Sequence, residues 1–218
     1  MIHEWRTYEA TSGKFAAMHH HLEVAAGLFR KHGLDTLGFW TEEIGTGFQI
    51  SYMWSYEGLH EREDKLASFS ADAAWKQLVA TEAEKEGPVV ASIHNTMLER
   101  TTYSPEPRVK GNVQEWRIYD AMPKRLGDLN DRFANHALGL FAKHGISSIG
   151  YWTETFGASN RLVYMLGYPS LGDRERSWAA FYADPAWQQV RADSEKHGPL
   201  VAKMSSRILR ATSFSPNG

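Results

Sequence analysis

The strongest constraint on this chain is that it is written twice. Gly38-Phe39-Trp40-Thr41-Glu42-Glu43-Ile44-Gly45 returns, displaced by 112 positions, as Gly150-Tyr151-Trp152-Thr153-Glu154-Thr155-Phe156-Gly157. Glu4-Trp5-Arg6-Thr7-Tyr8 returns as Glu115-Trp116-Arg117-Ile118-Tyr119, and Lys31-His32-Gly33 as Lys143-His144-Gly145. Ala71-Asp72-Ala73-Ala74-Trp75 returns as Ala183-Asp184-Pro185-Ala186-Trp187, and Tyr103-Ser104-Pro105 as Phe214-Ser215-Pro216. The displacement is 111 at the first strand, 112 through the hairpin and 111 again from Gly87 to Gly198. One residue is therefore gained in or near the first helix and lost in the second. A chain of 218 residues built this way has two like halves, each long enough to bury a core. The halves run over 1–105 and 113–218, and 106–112 is a linker rich in Pro, Gly and polar residues.

Each half reads β-α-β-β-α-β. Ile2 to Glu9 alternates with period two, as a half-buried strand does. Phe15, Met18, Leu22, Ala25, Ala26 and Phe29 recur at helical spacing, and Lys31-His32-Gly33 closes that helix with cations and a Gly. Leu34–Thr41 and Phe48–Trp54 make a hairpin around Ile44-Gly45-Thr46-Gly47. A charged helix follows from Leu59, Asp72 caps a further turn carrying Trp75, and Ile93–Arg100 is the last strand. This is the ferredoxin-like order. A sheet with its helices on one face leaves the other face bare. Two such sheets bury those faces together, so the expected fold is α+β: two ferredoxin-like repeats forming a fused dimeric α+β barrel.

The motifs resemble the NIPSNAP family of dimeric α+β barrel proteins. The resemblance rests on Glu4-x-Arg6-x-Tyr8, Lys31-His32-Gly33, the Gly38 to Gly45 stretch, Trp54-Ser55-Tyr56 with Leu59 and Arg62-Glu63, Asp72-x-x-Trp75, and Leu98-x-Arg100 with Tyr103-Ser104-Pro105. It recurs through Pro216. It implies a barrel related to cofactor-free monooxygenases, isomerases, cyclases and haem-dependent enzymes. Tyr52 and Tyr164 stand where many members carry His in the third strand.

Composition removes several function classes. The net charge of −2 offers no basic field for nucleic acid. No cysteine is present, which excludes disulfides, thiolate nucleophiles and Cys-type metal sites. No apolar run reaches the length needed to insert in a membrane, and the opening residues read as a strand, so the expectation is cytoplasmic. No phosphate-binding Gly-rich loop and no Ser nucleophile elbow is present.

In strand one, Glu4, Arg6 and Tyr8 share a face, and Glu115, Arg117 and Tyr119 repeat it. The Trp5 face, being more apolar, is expected against the helices. The Glu/Arg/Tyr face would then meet the opposite sheet, as a catalytic polar cluster or as a paired network holding register. Features kept in both copies read as scaffold, and polar residues in one copy only are freer to be functional. His3 aligns with Gln114 and His94 with Ser205, while His19-His20-His21 lies opposite Asn130-Asp131-Arg132 or thereabouts, with His20 or His21 able to face the sheet near His3. The expected site is a pocket between the first helix and the sheet of the N-terminal half. His3, His20, His94 and Tyr52 would supply acid/base groups, and Trp5, Trp54, Phe39 and Met18 an apolar wall. The alternative is that these histidines are surface or satisfied core residues. The expected function is cofactor-independent acid–base chemistry on a small apolar or aromatic metabolite: isomerase, cyclase, lyase or monooxygenase in type. The competing class is a non-catalytic ligand-binding, haem-binding or protein-interaction module. No metal is expected, haem is the minor alternative cofactor, and the architecture leaves room for a homodimer or higher homo-oligomer.

Overall fold

A computed structural model describes residues 1–216, so the last two residues of the C-terminal repeat lie outside the described residues. The first repeat contains β1 (Ile2–Ala10), α1 (Phe15–Lys31), β2 (Asp35–Ile44), β3 (Gln49–Tyr56), α2 (Leu59–Ala71), α3 (Ala73–Glu86) and β4 (Val90–Arg100). The second contains β5 (Val113–Ala121), α4 (Leu126–Arg132), a π-helical turn (Phe133–Ala137), α5 (Leu138–Lys143), β6 (Ser147–Glu154), β7 (Arg161–Tyr168), α6 (Leu171–Ala183), α7 (Pro185–Ser194) and β8 (Val201–Ala211). The strand orders β4-β1-β3-β2 and β8-β5-β7-β6 are the ferredoxin-like order twice. The fold class is α+β, with two tandem ferredoxin-like repeats of the dimeric α+β barrel type.

The single-residue shifts have a physical form. Up to the middle of the first helix, partners lie 111 apart: Met18 with Leu129, His21 with Arg132, Leu22 with Phe133, all buried. Beyond it they lie 112 apart: Ala25 with Ala137 and Phe29 with Phe141, again buried. The inserted residue is absorbed as the π-turn between α4 and α5, which adds a residue without rotating the flanking apolar stripe out of the core. The later loss shortens α7, which ends at Ser194, whereas α3 runs on to Glu86.

Two compact units emerge, and they are cut differently from the sequence repeat. One holds Met1–Leu98 and the segment from Ala211 onward; the other holds Glu99–Arg210. In the second unit, Thr101 N–H donates to the Tyr151 carbonyl (3.0 Å) and Ser104 Oγ accepts from Tyr151 N–H (2.9 Å). In the first, Thr212 N–H donates to the Phe39 carbonyl (2.9 Å) and Ser215 Oγ accepts from Phe39 N–H (3.1 Å). The Tyr-Ser-Pro and Phe-Ser-Pro segments that end each repeat are thus strand-two clamps, each docked on the other repeat's hairpin.

The duplicated Gly-Phe-Trp-Thr-Glu motif is explained locally. A Cβ on Gly38 would sit 2.7 Å from the Trp40 ring, and one on Gly150 2.4 Å from the Trp152 ring. The strand bulges at both glycines. Glu42 then accepts from Thr46 N–H (2.8 Å) and Glu154 from Ala158 N–H (3.2 Å), which closes each turn. The motif builds the hairpin.

One orientation differs from the sequence expectation. In the N-terminal unit, Arg6 lies opposite Tyr52 and Glu4 opposite Trp54 in the β1–β3 register, and Tyr8, Tyr52 and Trp54 pack in one core with Met18, Leu22 and Phe29 of α1. The Glu/Arg/Tyr face therefore meets the helices, and His3, Trp5 and Thr7 point the other way, where Trp5 stacks on Trp40 at 5.4 Å. The same holds for Glu115, Arg117 and Tyr119, with Trp116 near Trp152 at 5.9 Å. The reason is α2 and α6: each brings an Arg (Arg62, Arg174) over the strand, and the buried acid follows its counter-ion rather than the hydropathy of its neighbours.

Candidate functional site

The floor of each half is an ion network. Glu4 is fully buried and accepts from Arg6 (2.9 Å) and from two nitrogens of Arg62 (2.7 and 2.9 Å). Arg6 also donates to Tyr52 Oη (3.0 Å) and Tyr8 Oη (3.2 Å), and its guanidinium lies 5.0 Å from the Trp54 ring. Burial alone raises the Glu4 carboxyl pKa; the Arg62 hydrogen bonds and the Arg6 and Arg62 charges outweigh it, and the carboxyl titrates below its ordinary value. Burial pushes the Tyr52 hydroxyl well up, so it stays protonated. In the second half Glu115 accepts from Arg117 (2.6 Å), Arg174 (2.9 and 2.6 Å), Tyr168 (3.1 Å) and Trp178 (3.1 Å). Each network holds two guanidiniums against one carboxylate. The matched composition and the satisfied carboxylates mark both as scaffold for what lies above them.

Above each floor, at equivalent positions, a cavity opens between the first helix, the last helix and the start of the last strand. The N-terminal cavity, about 270 Å³, is lined by Tyr8, His21, Trp75, Val79 and Glu82 and by the turn Gly87-Pro88 into β4, ending at Ile93. The C-terminal cavity, about 370 Å³, is lined by Tyr119, Arg132, Phe133, Trp178, Trp187, Arg191 and Glu195 among others. Tyr8 matches Tyr119, His21 matches Arg132, and Trp75 matches Trp187. The two cavities are copies of one site with different polar groups.

In the N-terminal cavity His21 is buried, its Nδ1 hydrogen-bonds a Glu82 carboxylate oxygen, and its ring meets Trp75 edge-on at 5.2 Å. With Glu82 ionised, Nδ1 carries the proton and Nε2 is the basic nitrogen. In the C-terminal cavity Arg132 donates to Glu195 (2.9 Å) and Ser194 Oγ (3.3 Å), with its guanidinium 5.5 Å from the Trp187 ring. The chemistry changes from a titratable base to a permanent cation while the aromatic shelf and the acid stay.

The structure does not bring the sequence-predicted histidines together. His20 is exposed beside Glu23 (3.7 Å), because one residue of helix rotation carries it off the stripe that holds His21. His3 is buried on the face away from the helices. His94 is exposed, lies 3.2 Å from Ser92 Oγ, and alternates with Ile93, the residue that reaches the cavity. Trp5 shares the His3 face. Tyr52, Trp54, Phe39 and Met18 are on the helix side but are sealed in the core, and none lines the cavity. Tyr8, expected instead in the polar cluster facing the opposite sheet, does line it. Glu82, Arg132, Arg191 and Glu195 went unread, since charged residues on helices look like solvated faces. His21 was legible: it sits three residues from Met18 and four from Ala25, inside the apolar stripe. Among the described residues no group of three or more His, Asp or Glu side chains is placed to hold a metal ion, and no helix is long and apolar enough to cross a membrane.

The comparisons with known proteins agree with the duplication. A family model described as NIPSNAP matches residues 3–105 and again 114–216. Protein NipSnap of Drosophila melanogaster is 25% identical over 181 residues, 82% of this chain and 63% of that protein. A NipSnap protein of Caenorhabditis elegans is 24% identical over 186 residues, 84% of this chain and 34% of that protein. The chain thus spans less than two thirds of these relatives. A putative monooxygenase from Lactobacillus acidophilus NCFM superposes with a TM-score of 0.63 at 8% identity, covering 96% of this chain and 93% of that one. At that identity the likeness is one of fold.

Proposed function

The chain belongs to the NIPSNAP family, and from that premise we propose that it is a cofactor-independent enzyme acting on a small apolar or aromatic molecule in the cavity of its N-terminal half. His21 is the general acid/base, Glu82 orients its ring and holds the Nδ1 proton, and Trp75, Val79 and Ile93 hold the substrate. Tyr8 sits at the wall with its hydroxyl accepting from Arg6, which leaves its own proton available to a substrate oxygen. The observation that supports this reading is the buried His21–Glu82 pair on a cavity wall whose twin in the other half carries Arg132 and Glu195 instead.

Proton abstraction beside a carbonyl is the simplest reaction such a pair performs. The test is deuterium incorporation from D₂O into a panel of small enolisable aryl ketones. Wild type should exchange at least one of them, His21→Gln should lose about 10²-fold or more of that rate, and Glu82→Gln should lose less. His21→Gln exchanging at the wild-type rate, or no exchange with any ketone, would overturn the proposal. Thermal unfolding of the variants keeps misfolding apart from lost chemistry.

A further inference from the structure

We propose that the cavity of the C-terminal half is a second binding site, for a small aromatic molecule that carries one negative charge, with Arg132 as its anchor. Its wall is aromatic: Phe133, Phe141, Trp178, Phe181 and Trp187 all line about 370 Å³, within the range of small-molecule sites. The polar groups at its mouth do not balance. Glu195 accepts from both Arg132 (2.9 Å) and Arg191 (3.3 Å), one carboxylate for two guanidiniums. Beneath the wall Glu115 is likewise shared by Arg117 and Arg174. The floor of the N-terminal half has the same excess, but its mouth does not, since His21 and Val79 stand where Arg132 and Arg191 are.

The second observation is an unmet hydrogen bond. Arg132 is 95% buried as a side chain, yet its Nε–H finds no acceptor among the described residues. A buried guanidinium N–H without a partner is destabilising in a protein that gains nothing from it, and a bound carboxylate or similar oxyanion supplies that acceptor in the bidentate geometry Arg favours. Asp128, Asp131 and Asp193 line a separate groove on the outer side of Arg132 and do not bond that nitrogen. The π-turn begins at the next residue and places Phe133 on the wall, so the one-residue insertion that separates the halves lies in this site. Trp187 gives the ring of the ligand a stacking partner beside the cation, as it already does for the guanidinium.

The experiment uses naphthalene-2-carboxylate and its neutral isostere naphthalene-2-carboxamide, titrated by calorimetry and by tryptophan fluorescence. The carboxylate should bind about tenfold tighter than the amide, with the margin shrinking as salt rises. Arg132→Met should erase the margin and leave amide binding. Arg191→Gln, at an exposed position, should reduce it less. Met204→Trp, on the exposed rim, should block both ligands, and it stands in if Arg132→Met fails to fold. Equal binding of carboxylate and amide, a margin that survives Arg132→Met, or binding that survives Met204→Trp would each overturn the proposal.

Discussion

The two halves share a scaffold to within a residue and differ at the rim of one cavity. Tyr8 and Tyr119, Trp75 and Trp187, and the Glu-Arg-Arg floors are common property. His21 with Val79 faces Arg132 with Arg191 across that correspondence, and a π-turn is present on one side only. The lesson is one of constraint. Buried ion networks must be kept in both copies because losing one partner strands a charge. The cavity-wall pairs, His21 with Glu82 and Arg132 with Glu195, each bring their own partner, so each copy is free to take a different chemistry.

The largest expected effect tests the shared floor. Glu115→Gln leaves buried Arg117 and half-buried Arg174 without a full counter-charge, and removing one partner of such a network costs about 3–5 kcal/mol. Glu4→Gln should also destabilise, but less. Glu4 accepts from two residues, Arg6 and Arg62, whereas Glu115 accepts from four. Urea unfolding ranks the two variants. An order reversed, or both within error of wild type, would mean the floors are not the shared support.

A middle-sized effect tests the difference. Asn135 is exposed within the π-turn, and deleting it should restore a regular helix like α1 and bring the displacement back to 111. The deletion rotates Arg132 and Phe133 relative to α5, so naphthalene-2-carboxylate binding should fall severalfold while unfolding shifts only slightly. Unchanged affinity would detach the insertion from the C-terminal cavity.

The duplication made the fold legible, and it also carried a clue that hydropathy concealed. Both faces of β1 mix polar and apolar residues, so the larger apolar content of the Trp5 face pointed it toward the helices. Arg62 and Arg174 recur 112 residues apart, together with Glu4 and Glu115. Read as a pair, the recurring acid and base place Glu4 under α2. The rim was harder to read. Glu82 in α3 and Glu195 at the end of α7 lie among charged residues, and only the packing of Trp75 and Trp187 turns them inward. No spacing rule separates such a residue from a solvated neighbour.

The smallest expected effect falls where the halves are closest to identical. Asp72 caps α3 and also receives Lys31 (2.5 Å) and His32 (2.8 Å); Asp184 caps α7 and receives Lys143 (2.6 Å) and His144 (2.7 Å). Hydrogen bonds from the Lys and then the His hold both carboxyls well below the usual carboxylate range. A depressed folded-state pKa contributes stability that is fully present above the unfolded value, about 4, and is lost as pH falls below it. Asn at either position keeps the cap but drops the charge. Asp72→Asn and Asp184→Asn should therefore each melt slightly below wild type at pH 7, and the gap should narrow steadily as the pH falls below about 4. Because the charged partners are the same, one Lys and one His at each carboxylate, the two gaps should match. A gap that does not narrow between pH 4 and pH 2 would trace the loss to amide packing instead of charge, and unequal gaps would show that the scaffold itself has diverged.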